Sequence, residues 1–417
     1  MVDDLPLSAF IAQSLEHELK KSKRRRSKYY LSAMAPPVPD MMVGYLKQFV
    51  HAEVDKDNLN QSAILQHWLG ISSKARPSHS SQNTAALNAL QDAIIVALDV
   101  EWFEHDSSLI TELGVSILDP RDLPSSGTQS PWSILSKLQT HHICIKRNTH
   151  LVNGDLCPGY PDQFKFGITT YASIQSAKEM LQSVFLRHDP HGYARPILFL
   201  GHAVDNDYNM IKSRFGLDLE ALGTIVATLD TQVLACEQGL AEPSRMMRLQ
   251  HLLEHYDIDE PYLHNAGNDV VATVVAALLM SFPGSTTRSS AAAYAELKTI
   301  LSATNSVDSP AHTLFGKSRF CTRCDSDKHT KAECKRELHC EHCAKDPERE
   351  HLATQHKSDK CRDEAKRVAL EQKQKEREAL MEKRYAVPCQ WCIESMDTVR
   401  NDGAEPYGHR TEECPWP

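Results

Sequence analysis

Nine of the twelve cysteines in this 417-residue chain lie after residue 320 and repeat one spacing three times. Each repeat consists of C-x2-C, a middle loop of variable length, and then H-x4-C. Three thiolates and one imidazole satisfy a closed tetrahedral Zn²⁺ site. A unit this small has too little apolar core to fold without a metal. The repeat therefore predicts up to three Zn²⁺ ions, held by Cys321, Cys324, His329 and Cys334; by Cys340, Cys343, His356 and Cys361; and by Cys389, Cys392, His409 and Cys414.

The three units differ in the length of the middle loop. The first unit matches the CCHC zinc-knuckle spacing at every gap. In the second unit, His351 or His339 could replace His356 as a ligand, and units could also share ligands in a cross-brace. The alternative, a set of reduced cysteines without metal, is disfavoured by the repeat. The other cysteines, Cys144, Cys157 and Cys236, are scattered and are typical of small packing residues.

Four acidic residues in the first 280 positions stand out, because each follows an apolar run or lies near a predicted helix start. Asp99 and Glu101 end a strand-like apolar run, and their spacing of two puts both on one face of a strand. Asp207 follows a Gly-His pair, and Asp269 follows His264 by five positions. Mg²⁺ and Mn²⁺ prefer carboxylate oxygens, and two such ions about 4 Å apart can support phosphodiester hydrolysis. His264 could accept the proton of the attacking water, because its pKa can lie near working pH.

Each of these fragments also has an ordinary structural explanation. Asp99 and Glu101 could mark the exit of a strand into solvent. Either Asp205 or Asp207 could cap a helix, and His264 alone could be a surface residue. Their joint occurrence in order favours an assembled site. The distance from the preceding Gly-His pair favours Asp207 over Asp205.

The set Asp99, Glu101, Asp207, His264 and Asp269 resembles the DEDDh 3′–5′ exonuclease family, which has an RNase H-like fold. The resemblance covers roughly residues 88–285 and implies that the four carboxylates hold two Mg²⁺ (or Mn²⁺) ions, with His264 as the general base. The spacing His264-x4-Asp269 distinguishes this family from its tyrosine-bearing sister group.

Two details qualify and extend the resemblance. Asp230, in Leu-Asp-Thr, is similar to a further family feature that supports the site without binding metal. Trp102 replaces the small residue that many relatives carry after the first glutamate, which puts contacts to the terminal nucleotide in doubt.

The segment Phe164–Gly167 and the overall arrangement resemble a fungal subgroup that includes an Argonaute-associated exonuclease of RNA silencing. That likeness implies RNA as substrate and an Argonaute-type protein as partner.

Zinc knuckles commonly hold single-stranded nucleic acid by stacking unpaired bases on aromatic side chains. In this chain Phe320 and Trp391 are the candidates for stacking, and Arg323 and Lys331 for phosphate contacts. A protein-docking module is the alternative function of these units.

Composition narrows the class of protein and its location. The net charge of −9 argues against nucleic-acid binding by bulk charge but not by local basic patches. The sequence has no run of eighteen apolar residues and no signal-type stretch, so we expect no membrane partner and an intracellular location, cytoplasmic and/or nuclear. The basic run Lys20–Lys28 could be a nuclear import signal, a nucleic-acid arm or a solvated segment.

The sequence predicts an α/β fold: an RNase H-like mixed sheet flanked by helices, plus small zinc-stabilised C-terminal modules. Its predicted parts are an N-terminal extension (1–87), partly disordered and with the basic run; an exonuclease domain (88–285); a linker (286–318); and three zinc units with a charged spacer helix (319–417). Within the domain the predicted strands are Ala93–Glu101, Glu112–Leu118, His142–Arg147 and Ile197–Leu200. The expected function is metal-dependent 3′–5′ exonucleolysis of nucleic acid, RNA more than DNA. The alternatives are a catalytically silent nucleic-acid-binding scaffold, an adaptor in RNA silencing or mRNA metabolism, and a DNA-repair exonuclease.

Overall fold

The computed structural model describes residues 41–56, 59–71, 81–123, 130–282, 290–306 and 315–386. The third cysteine unit, Trp391 and the basic run Lys20–Lys28 lie outside these ranges. Within them, no helix combines the length and apolar character needed to cross a membrane.

A six-stranded mixed sheet forms the centre of the fold. Its strands are β1 (Ile94–Phe103), β2 (Asp106–Leu118), β3 (Gln139–Ile145), β4 (Thr169–Ala172), β5 (Ile197–Gly201) and β6 (Ile225–Asp230). They lie in the order β4-β3-β2-β1-β5-β6. The first three strands pair antiparallel, whereas β4 pairs parallel with β3, and β5 and β6 continue parallel from β1. This arrangement confirms the predicted α/β, RNase H-like mixed sheet.

Helices cover both faces of the sheet. They are α1 (Met41–Val54), α2 (Gln61–Trp68), α3 (Ser81–Gln91), α4 (Pro131–Leu135), α5 (Ile174–Phe185), α6 (Val204–Met210), α7 (Thr231–Glu237), α8 (Leu249–His255), α9 (Ala266–Ser281), α10 (Ser290–Thr304), α11 (Glu341–Ala344) and α12 (Arg362–Ala386). Every residue of α9 is buried, because this apolar helix lies between the sheet and the surrounding helices.

Alternation along β1 divides its side chains between two cores. Ile95 and Ala97 belong to the core that contains α9, whereas Val96 and Leu98 belong to the core that contains α5. Successive strand residues point to opposite faces of a sheet. Asp99 therefore follows Ile95 and Ala97 onto the α9 face.

From residue 41 onward, the predicted N-terminal extension packs against the sheet and its helices. Apolar residues of α1, α2 and α3 lie in the same core as α9. The indole of Trp68 donates to the Ala93 carbonyl at 2.7 Å, which fastens α2 to the start of β1. Helix α3 begins at Ser81 and leads directly into β1. These helices provide the apolar cover that this side of α9 needs.

The predicted linker 286–318 contains ordered structure that packs on the domain. Tyr294 in α10 is buried, and its hydroxyl donates to Glu260 at 3.0 Å. Further on, Lys317 pairs with Tyr171 of the edge strand β4 through backbone hydrogen bonds of 2.8 and 3.0 Å. The cysteine units therefore begin directly against the sheet edge, rather than at the end of a free spacer.

Candidate active site and metal centres

Four acidic side chains converge where β1 meets α6 and α9. Asp99 and Glu101 come from β1, Asp207 from α6 and Asp269 from the first turn of α9. The Val100 amide donates to Asp207 Oδ1 at 3.0 Å, which joins α6 to β1. The proximity of Asp207 to the two carboxylates of β1 depends on the parallel pairing of β1 with β5, the strand that precedes α6.

Burial and mutual repulsion disfavour the charged forms of these carboxylates. Burial, and next the nearby Glu112, raises the pKa of Asp99 from 3.8 to about 7. Burial, followed by the charges of neighbouring cluster members, raises the pKa of Glu101, Asp207 and Asp269 well above the ordinary carboxyl range. Asp207 and Asp269 are buried, and Asp99 and Glu101 are partly buried. Four carboxylates this close together can remain charged only if cations compensate them.

Two oxygens of the cluster point into this site without a hydrogen-bond donor. Among the described residues, Asp99 Oδ2 and Asp269 Oδ1 are buried and have no partner. Buried carboxylate oxygens are normally hydrogen-bonded or bound to metal. Hard oxygen ligands also suit Mg²⁺ and Mn²⁺. The residues present therefore fit the divalent metals that the sequence predicts.

His264 lies at the open side of the carboxylate cluster. Its Nδ1 is 3.9 Å from Glu101 Oε1, and 52% of its side chain is exposed. Glu101, His264 and Asp269 each offer an atom within 4.8 Å of the others. The backbone amide of His264 donates to Asp269 Oδ2 at 2.9 Å. Partial burial lowers the pKa of His264, which favours the neutral, proton-accepting imidazole.

The structure separates Asp205 from Asp207. Asp207 is buried in the cluster, whereas Asp205, two positions earlier, is exposed. Helix turns explain the difference, since residues two apart point to different sides of a helix.

Asp230 holds the start of α6 from the end of β6. It accepts hydrogen bonds from the amides of Ala203 at 3.1 Å and Val204 at 3.0 Å. It also caps α7 through the amide of Gln232 at 2.8 Å. Ala203 has φ +56°, a left-handed conformation that is unfavourable for a residue with a Cβ. Asp230 therefore fixes the turn that presents Asp207.

Glu112 is a fifth acidic residue near the cluster and was not predicted as part of it. It lies opposite Glu101 in the β1–β2 register and is buried. Its Oε2 lies 2.8 Å from His142 Nε2, and it accepts from the Ala266 amide at 3.3 Å. The sequence carried one signal for Glu112: the alternation of side chains along β2 places it on the same face of the sheet as Asp99 and Glu101.

Two glycines let α9 approach the sheet closely enough to deliver Asp269. A Cβ on Gly114 of β2 would lie 1.8 Å from the Ala266 carbonyl oxygen. A Cβ on Gly267 would lie 2.6 Å from the ring of Phe164. Phe164 comes from the Phe164–Gly167 segment, which the sequence associated with a narrower subgroup, and here it packs at the start of α9.

Trp102 points to the opposite face of β1 from Glu101. Its side chain is partly buried against the core that contains α5, and its carbonyl accepts from Asn153 Nδ2 at 2.8 Å. The Trp102 side chain, which replaces the small residue of many relatives, therefore lies on the face of β1 opposite the carboxylates.

The first two cysteine units each gather four ligand atoms within 4.8 Å of one another. In the second unit, Cys343 Sγ lies 3.8 Å from Cys361 Sγ and 3.6 Å from His356 Nε2. A tetrahedral ion with metal–sulfur bonds of about 2.3 Å requires S···S separations of about 3.8 Å. The described units therefore have the geometry of closed tetrahedral sites. His356, and not the exposed His351 or His339, completes the second cluster.

Two of the residues predicted to contact nucleic acid have structural contacts instead. Phe320 is only 4% exposed, because its ring packs on Tyr171 at 5.1 Å beneath Lys146. The Arg323 guanidinium donates to the carbonyls of Cys334, Thr354 and Gln355, so it joins the first unit to the second. In this structure the Phe320 ring is covered and the Arg323 guanidinium is engaged within the protein, so neither side chain is free for the predicted contact. Lys331 is exposed, as a phosphate contact requires.

Residues 94–280, just under half of the chain, match the DEDDh family model described as "DNA polymerase III subunit epsilon-like, C-terminal domain". This segment contains all five residues of the predicted acidic and histidine set. The segment is thus similar to DEDDh-type exonuclease domains in sequence, and it contains the mixed sheet.

Two curated yeast proteins are similar to this chain over part of its length. One is the Saccharomyces cerevisiae "Good for full DBP5 activity protein 2", 27% identical over 208 residues, which are 45% of this chain and 35% of that protein. The other is the Schizosaccharomyces pombe "Uncharacterized nucleolar protein C2C4.08", 30% identical over 183 residues, which are 42% of this chain and 63% of that protein. The similarity therefore spans less than two thirds of either relative.

A crystal structure of E. coli exonuclease I in complex with a dA16 oligonucleotide overlaps 46% of this chain and 42% of its own length. The identity is 15% and the TM-score is 0.28. An overlap at this level carries no argument about function.

Proposed function

We propose that this protein is a divalent-metal-dependent 3′–5′ exonuclease that removes nucleotides one at a time from single strands. The observation that supports this proposal is the cluster of Asp99, Glu101, Asp207 and Asp269, in which two buried carboxylate oxygens have no hydrogen-bond donor. No other arrangement among the described residues combines such a cluster with a half-exposed histidine at its mouth.

The carboxylates and His264 would have different roles in hydrolysis. Two bound Mg²⁺ ions would stabilise the charge that develops on the attacking and leaving oxygens. The four carboxylates would hold these ions, and the Val100 amide would keep Asp207 in place. His264 would take a proton from the water that attacks phosphorus, while the P–O3′ bond breaks and the leaving oxygen gains a proton from solvent. The products are a nucleoside 5′-phosphate and a strand shortened by one residue.

The cysteine units would bind Zn²⁺ and contribute to strand binding. Soft thiolates with one imidazole select zinc among common intracellular metals. Exposed basic residues surround the first unit and could contact phosphates; they are Lys328, Lys331, Lys335 and Arg336. With Phe320 buried, this unit would bind strands through charge rather than through stacking.

We further propose RNA as the preferred substrate, and an Argonaute-type protein as a partner, on the likeness to the fungal silencing subgroup. The name of the nucleolar relative supports a nuclear location. The name of the Saccharomyces relative, which refers to DBP5 activity, is consistent with an adaptor role in mRNA metabolism as the competing function.

The test is digestion of 5′-labelled single-stranded RNA and DNA of the same sequence, with Mg²⁺ and with EDTA. Glu101→Gln removes one carboxylate charge from the cluster, and Asp205→Asn is the matched control on an exposed acidic residue. We expect a ladder that shortens from the 3′ end, faster on RNA, in the wild type and the control only. Tight retention of the strand without cleavage would instead establish a binding protein built on a silent nuclease domain.

A further inference from the structure

The second cysteine unit is fastened directly to the nuclease domain. Lys360, next to the ligand Cys361, is only 6% exposed, and its Nζ donates to the carbonyls of Lys146 at 3.0 Å and Arg147 at 2.9 Å. A buried lysine that satisfies backbone carbonyls at the end of β3 orders both partners. The unit is thus held at one place on the domain surface.

Arg362, on the other side of Cys361, reaches a loop of the nuclease domain that comprises residues 152–160. Its Nε donates to the Val152 carbonyl at 2.6 Å, and its second nitrogen lies 3.1 Å from both Glu104 and Asp155. Charge-assisted hydrogen bonds from one planar guanidinium to several acceptors fix relative positions well.

Glu104 binds the backbone of the same loop through hydrogen bonds. Its two oxygens accept hydrogen bonds of 2.7 to 3.2 Å from the amides of Gly154, Asp155, Leu156 and Cys157. Burial opposes ionisation, but these four amides lower the pKa of Glu104 to about 2. Glu104 is therefore a permanent anion that orders the loop, and Arg362 is its counter-ion.

The far end of the 152–160 loop holds the histidine of the active site. The Tyr160 amide donates to the His264 carbonyl at 3.2 Å, and the Asn265 side chain donates back to the Tyr160 carbonyl at 2.8 Å. His264 has φ +65°, an unfavourable conformation for a residue with a Cβ, which persists only where neighbours enforce it. The hydrogen bonds between Tyr160 of the loop and residues 264 and 265 help to hold His264 in this conformation.

We propose that the second zinc unit is a structural support of the active site, in which Arg362 acts as a positioning residue for His264 through the 152–160 loop. This inference rests on the proposed nuclease function. It gives the unit a role in the chemical step itself, independent of strand capture. Loss of its metal, or of Arg362, would slow hydrolysis of substrates too short to reach the cysteine units.

The test compares full-length Arg362→Ala with Arg367→Ala on p-nitrophenyl thymidine 5′-phosphate. Arg367 is the matched control, because it lies on the same helix and its ion pairs within the described ranges are with Glu364 and Glu371 of that helix. We expect the Arg362→Ala variant to lose about tenfold or more in kcat with little change in KM, since misplacement of a catalytic group costs that much or more. Arg362→Lys, which keeps the charge but not the planar fork, should lie between wild type and alanine.

Hydrogen exchange of the amides in 153–160 and 264–266, with zinc content measured in parallel, separates this link from the nuclease function. Faster exchange in Arg362→Ala than in Arg367→Ala, at unchanged zinc content, supports the link even if the wild type cleaves nothing. Unchanged exchange, or an unchanged kcat in an active enzyme, overturns it. If Arg362→Ala does not fold, the graded response of Arg362→Lys decides.

Discussion

The Val100 amide donates to Asp207 Oδ1 at 3.0 Å across a sequence separation of 107 residues. Val100 lies between Asp99 and Glu101 on β1, so this single bond sets the distance of the α6 carboxylate from both β1 carboxylates. Asp205 lies on the same short helix and is exposed. Helix α6 therefore carries one aspartate that we expect to be essential for cleavage, Asp207, and one that we expect to be dispensable, Asp205.

Asp207→Asn should abolish metal-dependent cleavage, whereas Asp205→Asn should leave it within a few-fold of wild type. The same Asp207→Asn change should stabilise the metal-free protein near neutral pH, because burial and the neighbouring carboxylates disfavour the charged form of Asp207 and asparagine carries no charge. Cleavage assays and thermal unfolding in EDTA measure the two effects. Loss of activity in Asp205→Asn with retention in Asp207→Asn would reverse the assignment.

The stability of the metal-free protein should fall as pH rises from about 4 to about 7. Folded Asp99 keeps its proton up to about pH 7, whereas the unfolded chain releases it near 3.8. The folded state then binds more protons in this window, so the free energy of unfolding decreases with rising pH. The measurement is thermal unfolding in EDTA across pH 4 to 8, read as the difference between wild type and Asp99→Asn.

Mg²⁺ provides the matching control for this pH dependence. Saturating Mg²⁺ should raise the thermal midpoint more at pH 8 than at pH 5, because the carboxylates that bind it are already deprotonated at the higher pH. A Mg²⁺ effect of equal size in Asp99→Asn would mean that the ion stabilises the protein elsewhere.

The candidate site was readable from the sequence because its residues lie in short motifs. Asp99 and Glu101 end an apolar strand, and the interval from His264 to Asp269 spans the start of one helix, so local spacing carries the information. The predicted strands at β1, β2, β3 and β5 were found for the same reason. Strands β4 and β6 were missed, since threonines interrupt their short runs, whereas the equally short β5 is an unbroken apolar run.

Long-range packing could not be predicted from the sequence. Phe320 was taken for an exposed aromatic because nothing local reveals that Lys317 pairs with Tyr171 and carries the following ring onto the domain. The contact from Arg362 to Glu104 joins residues 258 apart. Such contacts depend on the assembled tertiary fold and not on any pattern within one segment.

Asp230→Ala should reduce both stability and activity, because it frees the amides of Ala203, Val204 and Gln232. Loss of a helix cap costs about 1 kcal/mol. Release of the left-handed turn at Ala203 should also displace Asp207. Ser173→Ala is the control, since Ser173 caps α5 through the Ser176 amide on the other core. We expect similar losses of stability from both changes and a loss of cleavage only from Asp230→Ala.

Gly114→Ala should be among the most damaging single-methyl changes in the domain. The new Cβ would lie 1.8 Å from the Ala266 carbonyl oxygen, so the start of α9 must move away from β2. Because Asp269 lies in the first turn of α9, we expect weaker Mg²⁺ binding as well as a loss of stability of several kcal/mol, typical of severe overpacking.

Gly44→Ala is the matched control, because Gly44 lies within α1 with nothing within 4 Å of its added Cβ. That change should stabilise the protein by up to about 1 kcal/mol, since alanine favours a helix over glycine. Calorimetric titration with Mg²⁺ and thermal unfolding of both variants test the pair. Normal Mg²⁺ affinity in a folded Gly114→Ala protein would show that the close approach of α9 to β2 does not govern the position of Asp269.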